Sequence, residues 1–402
     1  MPRIDNLTRP TPGSPLILAY PFRPFFLLAG VHAVVLMVAW MGTWFLGWPL
    51  SGELSPVRWH AHEMLFGLVP AAVAGFLLTA MCNWTGAAPL AGRELAALVG
   101  LWLAGRLAMW TSGWLPGWAT MTIDGAFLPV LALYAGRVIV RAGSWRNLVL
   151  VGALAVLTAA SLISHAGLLW HNPGLAVAGE RLALFVIVLL MVVIGGRITP
   201  AFTRNWLMNN GGDRTRVRSW PVVEHLAFGS TVALVVALLL PVAPVVVAAL
   251  AGIAGLTNAV RLAGWSGWLG RSEPLIWVLH LGYAWVVIGL LLKGATLFTG
   301  AIPDSAWLHA LGVGAMGTLI LGVMTRVSLG HTGRPLRLPP GAWMIYVTIT
   351  IAATLRLASS LGWLDGRWPL WLASTAWCLA FAQFLVQYWP ILTTPRADGR
   401  PG

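Results

Sequence analysis

The chain consists of long apolar stretches separated by short segments rich in Gly, Pro and charged residues. A helix needs about 20 apolar residues to cross a bilayer, and breaking the chain at the polar segments leaves twelve stretches of about that length. They are residues 24–46, 60–82, 92–111, 117–137, 147–166, 178–198, 220–240, 244–261, 273–294, 305–326, 341–361 and 368–390. The seventh and eighth are the least distinct, because PVAP at 241–244 must act as a tight turn between them; without that turn the count is eleven. The pattern predicts an all-α polytopic membrane protein.

Composition agrees with this prediction. Hydrophobic residues make up 58% of the 402 residues and charged residues only 9%, which is too apolar for a soluble protein. We expect one membrane domain over residues 1–402, with a cytoplasmic N-terminal segment at 1–22, a transmembrane bundle at 23–391 and a cytoplasmic tail at 392–402. The first 20 residues are polar and lack the apolar core of a secretory signal. Two cysteines exclude a disulfide framework.

The distribution of basic residues tests the helix count, because cytoplasmic loops of membrane proteins are enriched in Lys and Arg. If the N-terminus is inside, four of the 25 basic residues fall outside and two lie within helices, so nineteen fall inside. The outer four are Arg58, Arg181, Lys293 and Arg367. The twelve-helix prediction therefore gives a consistent topology with both termini in the cytoplasm. The net charge of +13 is then explained by topology and does not indicate nucleic-acid binding.

Two stretches have similar sequences and each begins with a histidine. HEMLFGLVPAAVAGFLLTAMCNWTG starts at His62, and HALGVGAMGTLILGVMTRVSLGHTG starts at His309. The aligned pairs are Gly67 with Gly314, Gly75 with Gly322, Thr85 with Thr332 and Gly86 with Gly333. In the sixth helix, Glu180 takes the position of the two histidines. Because helices two, six and ten are related, the chain is predicted to contain three four-helix repeats in one orientation.

The histidines fall into two layers by predicted depth. His32 in the first helix and His280 in the ninth lie well inside the bilayer, whereas His62 and His309 begin their helices at the outer face. An imidazole inside a membrane ligates haem iron or copper, relays protons or bonds another helix. We expect His32 and His280 to be the axial ligands of a haem; the alternative is two unrelated interhelical hydrogen bonds.

The outer layer offers several ligands. His60 and His62 are two residues apart, so on an ideal helix they point about 200° from each other and cannot share one metal. Either His60 belongs to the preceding irregular segment or the two histidines serve different centres. Together with His309 they are candidates to bind copper or a second haem, with Glu63 as a proton carrier. The alternative is helix capping and interfacial hydrogen bonding.

Three further groups need an interpretation. His165 and His171 are interpreted as loop residues. Arg106 and Arg356 lie within predicted helices and need an anionic partner. A haem propionate is one candidate for that partner, and Asp124 or a cluster of backbone carbonyls is the alternative.

Five motifs, in order along the chain, resemble the NnrS family of bacterial membrane proteins. They are PFRPFFLLAGVHA at 21–33, WHAHEMLFG at 59–67, the pair Asn83 and Trp84, GGRITPAFTRNW at 195–206 and TRVSLGHTGRPL at 325–336. The resemblance covers residues 15–390 and implies a twelve-span haem and copper protein of the bacterial cytoplasmic membrane, associated with the response to nitric oxide. Several motif residues carry over by position: His32, His60, His62, Glu63, His309 and His331. His280 lies outside the motifs.

The leading functional hypothesis is the reduction of two NO molecules to N2O and water. It assigns one or two b-type haems, copper or non-haem iron as cofactors, and a quinol or cytochrome as electron donor. NO is small and apolar and can enter from membrane lipid. The alternatives are a haem and copper protein that binds or senses NO without turnover, and a transporter of a metal or nitrosyl complex.

Overall fold

A computed structural model describes residues 15–49 and 54–400, and this part of the chain contains helices and no β-strand. Each of the twelve apolar stretches forms a helix. In chain order the helices are α1 (Phe22–Leu46), α2 (Pro56–Thr85), α3 (Gly92–Trp110), α4 (Gly117–Arg141), α5 (Trp145–Leu169), α6 (Pro173–Asn209), α7 (Pro221–Ala237), α8 (Pro244–Gly264), α9 (Pro274–Ala295), α10 (Asp304–His331), α11 (Trp343–Ser360) and α12 (Trp368–Thr393).

Ten of these helices are long and apolar enough to cross a bilayer, so the chain is a multi-pass membrane protein. The other two are α3, which carries the charged residues Arg93, Glu94 and Arg106, and α7, which has only 17 residues. The count of twelve spans and the sides of the two termini therefore stay predictions. Most of the predicted N-terminal segment lies outside the described residues.

Proline and glycine mark two helix boundaries: α8 begins at Pro244, as predicted, and α2 ends before Gly86, three residues beyond the predicted end at 82. Pro244 occupies the first turn of α8, where a missing backbone N–H costs nothing because that group has no partner inside the helix. The first three residues of PVAP, 241–243, lie in the connection between Ala237, where α7 ends, and Pro244. Gly86 ends α2 in the left-handed conformation, with φ of 70°, which glycine adopts without steric cost.

The helices form two compact units. Unit 1 contains residues up to 183 together with 324–337 and the chain from 381 onward, and unit 2 contains 184–323 and 338–380. Within unit 1, α2 packs on α1, and α4 packs on α3 and α5. Within unit 2, α8 packs on α7 and α9.

Both histidine-led stretches depart from α-helical geometry at the same point. A π-helical segment, Glu63–Leu68, follows His62 directly in α2, and another, Ala310–Gly317, follows His309 in α10. Single π turns inside α-helices are rare and concentrate at functional sites. The three-repeat arrangement itself stays a prediction.

Candidate metal centre

The first turns of α2 separate the two neighbouring histidines. Both lie in one α-helical segment, Pro56–His62, so His60 does not belong to an irregular segment. Its ring stacks on that of Trp40, with 4.6 Å between the ring centroids, whereas His62 is buried among charged groups of unit 1. The two imidazoles thus have different surroundings. A metal at His60 stays a prediction.

The π segment of α2 turns two backbone carbonyls toward neighbouring side chains. The carbonyl of Glu63 lies 3.4 Å from Nε2 of His32, and the carbonyl of Gly67 accepts a hydrogen bond of 3.0 Å from Nε1 of Trp102. In a π turn the N–H five residues on, rather than four, closes the hydrogen bond, and this shift changes where carbonyls point. The unusual register therefore helps to fix α1 and α3 around α2.

Gly67 makes room for two polar side chains at this point. A Cβ atom added there would lie 2.5 Å from Nη1 of Arg106 and 2.7 Å from Nε2 of His32. Neither distance is compatible with a side chain. The glycine is needed because the guanidinium and the imidazole rest directly against the backbone of α2.

Arg106 of α3 lies between two carboxylates. Its guanidinium donates to Glu63 from one terminal nitrogen and to Asp124 of α4 from the other. All three side chains are buried. Of the anionic partners considered for Arg106, the structure thus supplies Asp124 together with Glu63. A buried arginine is tolerated at this depth because both of its terminal nitrogens have charged partners.

A break in α4 coincides with the position of Asp124. The first part of the helix ends at Gly125, and the second begins at Phe127. Pro129 explains the break, because proline has no N–H for the carbonyl four residues earlier and its ring collides with that carbonyl. Gly105 of α3 lies against this turn, since a Cβ there would be 3.2 Å from Cα of Asp124.

His165 completes the group, and its interpretation as a loop residue is wrong. It lies inside α5, and only 3% of its surface is exposed. Its Nε2 is 2.8 Å from Oδ2 of Asp124. Nε2 of His62 faces the same oxygen at 3.1 Å, but at an angle that does not make a hydrogen bond. Asp124 therefore lies between two imidazoles from different helices. His171, by contrast, follows the end of α5.

Ligand atoms of His62, Asp124 and His165 converge on one point. One atom from each lies within 4.8 Å of the other two. Adjacent ligands of a tetrahedral metal stand roughly 3.3 Å apart when metal–ligand bonds are about 2.0–2.1 Å. The observed spacing is therefore close to that of a metal site. Two imidazoles and one carboxylate are also the donor set of non-haem Fe(II) centres that keep open coordination positions.

The charges of the group favour a cation. Glu63 and Asp124 carry two negative charges and Arg106 one positive charge, so the group has a net charge of −1 when both histidines are neutral. An uncompensated charge is costly in a membrane interior. A proton on one imidazole makes the group neutral, and a bound divalent metal ion changes its net charge to +1.

The deeper histidines are placed in different units. Nε2 of His280 in unit 2 lies 2.9 Å from Oγ1 of Thr203, whose own hydroxyl proton is donated to the carbonyl of Thr199. Nε2 of His280 therefore donates a hydrogen bond to this hydroxyl. In unit 1, Nε2 of His32 is 3.3 Å from Oε2 of Glu63. A haem with His32 and His280 as axial ligands stays a prediction.

The remaining predicted ligands have other contacts. Nδ1 of His309 donates to the carbonyl of Ser305 at 2.7 Å. His331 ends α10 and packs on Phe22, with 5.7 Å between the ring centroids. The roles of His309 and His331 as metal ligands stay predictions.

Arg106 of α3 pairs with two carboxylates, whereas Arg356 in unit 2 contacts a hydroxyl group. Its Nη1 donates to Oγ of Ser360 at 2.5 Å. A haem propionate as the partner of Arg356 also stays a prediction.

The fold and this buried group define a multi-pass helical membrane protein with a His and Asp cluster able to hold a metal ion. The chain belongs to the NnrS family, because the family model described as NnrS protein matches residues 16–396. A comparison with curated proteins found no match. The resemblance carried by the five motifs is thus confirmed over nearly the whole chain.

Sequence reasoning found four members of the group, namely His62, Glu63, Arg106 and Asp124, and missed the fifth. One feature of the sequence does indicate His165: it is an ionisable residue in an apolar stretch, and such residues in membrane helices are candidates for a functional role. His165 is next to the last residue of the predicted helix 147–166, so its position in the sequence does not separate a helix residue from a loop residue.

Proposed function

We propose that this protein holds one non-haem metal ion, most suitably Fe(II), on His62, Asp124 and His165, and uses it to reduce nitric oxide to nitrous oxide. The observation that supports the proposal is the meeting of two imidazoles and one carboxylate from three helices in a buried group. Membership of a family associated with the nitric oxide response supports the choice of substrate.

The balanced reaction takes two NO, two electrons and two protons to one N2O and one water. A bound iron supplies open coordination positions for NO and accepts electrons. The electron donor is proposed to be a quinol or a cytochrome. NO needs no recognition pocket, because a small apolar molecule dissolves in membrane lipid.

The side chains around the proposed metal hold its carboxylate ligand in place and can carry protons. Arg106 holds Glu63 and Asp124 in place and offsets one of their two charges. Glu63 contacts Nδ1 of His62 and Nε2 of His32, each at 3.3 Å. It is therefore suited to hold a proton beside the metal ligand His62 and to exchange it with His32.

We derive no step through a haem, because the side chains that converge in one place, His62, Asp124 and His165, are the donor set of a single metal ion. Copper is the alternative metal, since imidazole and carboxylate ligands also suit Cu(II). A metal titration with Fe(II) and Cu(II) separates these choices.

The test is anaerobic turnover by purified protein loaded with Fe(II). We expect N2O to form at half the rate of NO loss when an electron donor is present, and the Asp124→Asn variant to lose this activity. His171→Gln is the matched control, because it changes a histidine outside the group. Uptake of NO in proportion to metal, without N2O, would support the alternative of a binding protein. Absence of any response to NO would refute both.

A further inference from the structure

We propose that Glu180 is a second cation-binding group, which takes a divalent metal ion at the edge of unit 1 and passes it to the buried site of His62, Asp124 and His165. Arg58 occupies this carboxylate when no metal is present. The inference rests on the proposed metal site and adds a route by which the metal reaches it.

The first observation is the position of Arg58 on α2. It precedes His62 by four residues in one α-helical segment, and residues with that spacing lie on the same face of a helix, about one turn apart. Nη1 of Arg58 lies 3.1 Å from Oε1 of Glu180, and Nη2 lies 3.0 Å from the carbonyl of Pro173. Arg58, which holds Glu180, is therefore attached to α2 one turn before the metal ligand His62.

A second observation places Glu180 next to the other imidazole ligand. Its neighbour Gly179 packs directly on α5, where an added Cβ would lie 2.6 Å from the backbone nitrogen of Ser164. Ser164 precedes His165. Glu180 thus follows a residue of α6 that packs on α5, and its carboxylate pairs with Arg58 of α2, so it lies beside the two helices that supply the imidazoles.

The third observation is a gradient of exposure. The side chains of Arg58 and Glu180 are 21% and 17% exposed, whereas those of His62 and Asp124 are 2% and 1% exposed. A hydrated cation reaches the partly exposed carboxylate before it reaches the buried group. Carboxylate oxygens bind divalent cations, and a partly exposed ion pair is weak enough to open.

Arg58 also excludes other ions from this position. While the guanidinium is paired with Glu180, its positive charge repels cations, so metal entry requires Arg58 to release the carboxylate. A negative charge on an entry path speeds the association of a cation by about tenfold or more. We therefore expect Glu180 to control the rates of metal exchange more than the final occupancy.

The test uses rapid mixing of the full-length protein in detergent with Co²⁺, whose visible absorption reports binding to imidazole and carboxylate. The decisive variant is Arg58→Gln with Glu180→Gln, because it removes one charge of each sign and leaves the net charge unchanged. We expect metal uptake and metal release to slow by a similar factor, about tenfold, with the same amount of Co²⁺ bound at equilibrium. Arg58→Gln alone is expected to speed uptake. The matched control is Glu94→Gln, an exposed carboxylate of the same unit, which is expected to behave as wild type.

Two outcomes overturn the entry role while leaving the metal site in place. In one, the double variant exchanges Co²⁺ at the wild-type rate. In the other, it loses equilibrium binding, which would make Glu180 a ligand of the site itself. If the wild-type protein binds no Co²⁺, the proposed metal site fails and the entry role fails with it, so the two failures are distinguishable. Equal equilibrium binding by wild type and double variant also shows that the variant is folded.

Discussion

His165 and Asp124 are 41 residues apart in the chain, and their side chains meet at 2.8 Å inside unit 1. The contact joins α5 to the broken helix α4 and places an imidazole on the carboxylate that Arg106 and His62 also approach. With Glu63, five ionisable side chains therefore form one buried group, and His32 contacts this group at Glu63.

Arg106→Gln is expected to destabilise the protein strongly, because it leaves Glu63 and Asp124 buried without their cation. Breaking a buried ion pair by removing one partner costs about 3–5 kcal/mol. Thermal unfolding in detergent measures the effect. Arg93→Gln, an exposed arginine of the same helix, is the control and is expected to change stability by less than about 0.5 kcal/mol.

A double variant tests whether the stability lost in Arg106→Gln comes from the unpaired charge of Glu63 or from the lost packing of the Arg106 side chain. Adding Glu63→Gln to Arg106→Gln removes one of the two unpaired carboxylates, so it is expected to recover part of the lost stability. If the double variant is no more stable than Arg106→Gln alone, the ion pair between these residues does not explain the burial of Arg106.

Gly67→Ala is expected to displace Arg106 or His32, since the new methyl group would lie 2.5 Å and 2.7 Å from their terminal nitrogens. We expect a loss of stability of about 1–3 kcal/mol, as in other overpacked interiors, together with weaker metal binding. Gly100→Ala is the matched control, because nothing lies within 4 Å of a Cβ added at that position. Equal behaviour of the two alanine variants would contradict the close packing around Gly67.

Thr203→Val tests the hydrogen bond of His280 separately from the metal site. The variant removes the hydroxyl that accepts the proton of His280 Nε2, leaving a buried donor without its partner, at a cost of about 1–3 kcal/mol. Metal content is expected to stay at the wild-type level. A haem signal that changes in this variant would instead support the prediction of His280 as an axial ligand.

The chain end that follows α12 is expected to detach in acid. A hydrogen bond from Arg396 lowers the pKa of Asp398 to about 2, and the amide of Ala397 donates to the carbonyl of Thr332 at 2.9 Å. Because an unfolded aspartate titrates near about 3.9, the stabilising effect is complete above about pH 4 and is lost as the pH falls toward about 2.

Hydrogen exchange of the Ala397 amide, corrected for its intrinsic pH dependence, measures this detachment. Protection is expected to fall between about pH 4 and pH 2. In Asp398→Asn, protection is expected to be low and independent of pH in that range. A wild-type amide that stays equally protected down to pH 2 would show that the carboxylate does not hold the chain end.

Much of the fold follows from the sequence, because the length of an apolar helix is dictated by the bilayer. The start of α8 at Pro244 agrees with the predicted bound, whereas α2 extends to Thr85 instead of ending at 82. No residue pattern predicts the π segment after His62, whose carbonyls contact His32 and Trp102 in the structure.

The sequence predicts only some of the residues of the candidate site. His62 and Arg106 stand out as polar residues in apolar stretches, and an acidic partner for the arginine follows from its charge. The contact of His165 with Asp124 does not follow, because it depends on which helices pack together and on the bend that Pro129 introduces into α4. The similarity of the stretches at His62 and His309 predicts that these two histidines act together. In the structure, His62 contacts Glu63 and Asp124 of its own unit.

The most direct test of the account is the iron content of wild type and of His165→Gln after anaerobic loading with Fe(II) and removal of excess metal. His165 is the decisive position because only the structure assigns it to the site. We predict one iron per wild-type chain, an unchanged value in His171→Gln, and a loss of most of the iron in His165→Gln with the variant still folded. Retention of one iron per chain by His165→Gln would contradict the account.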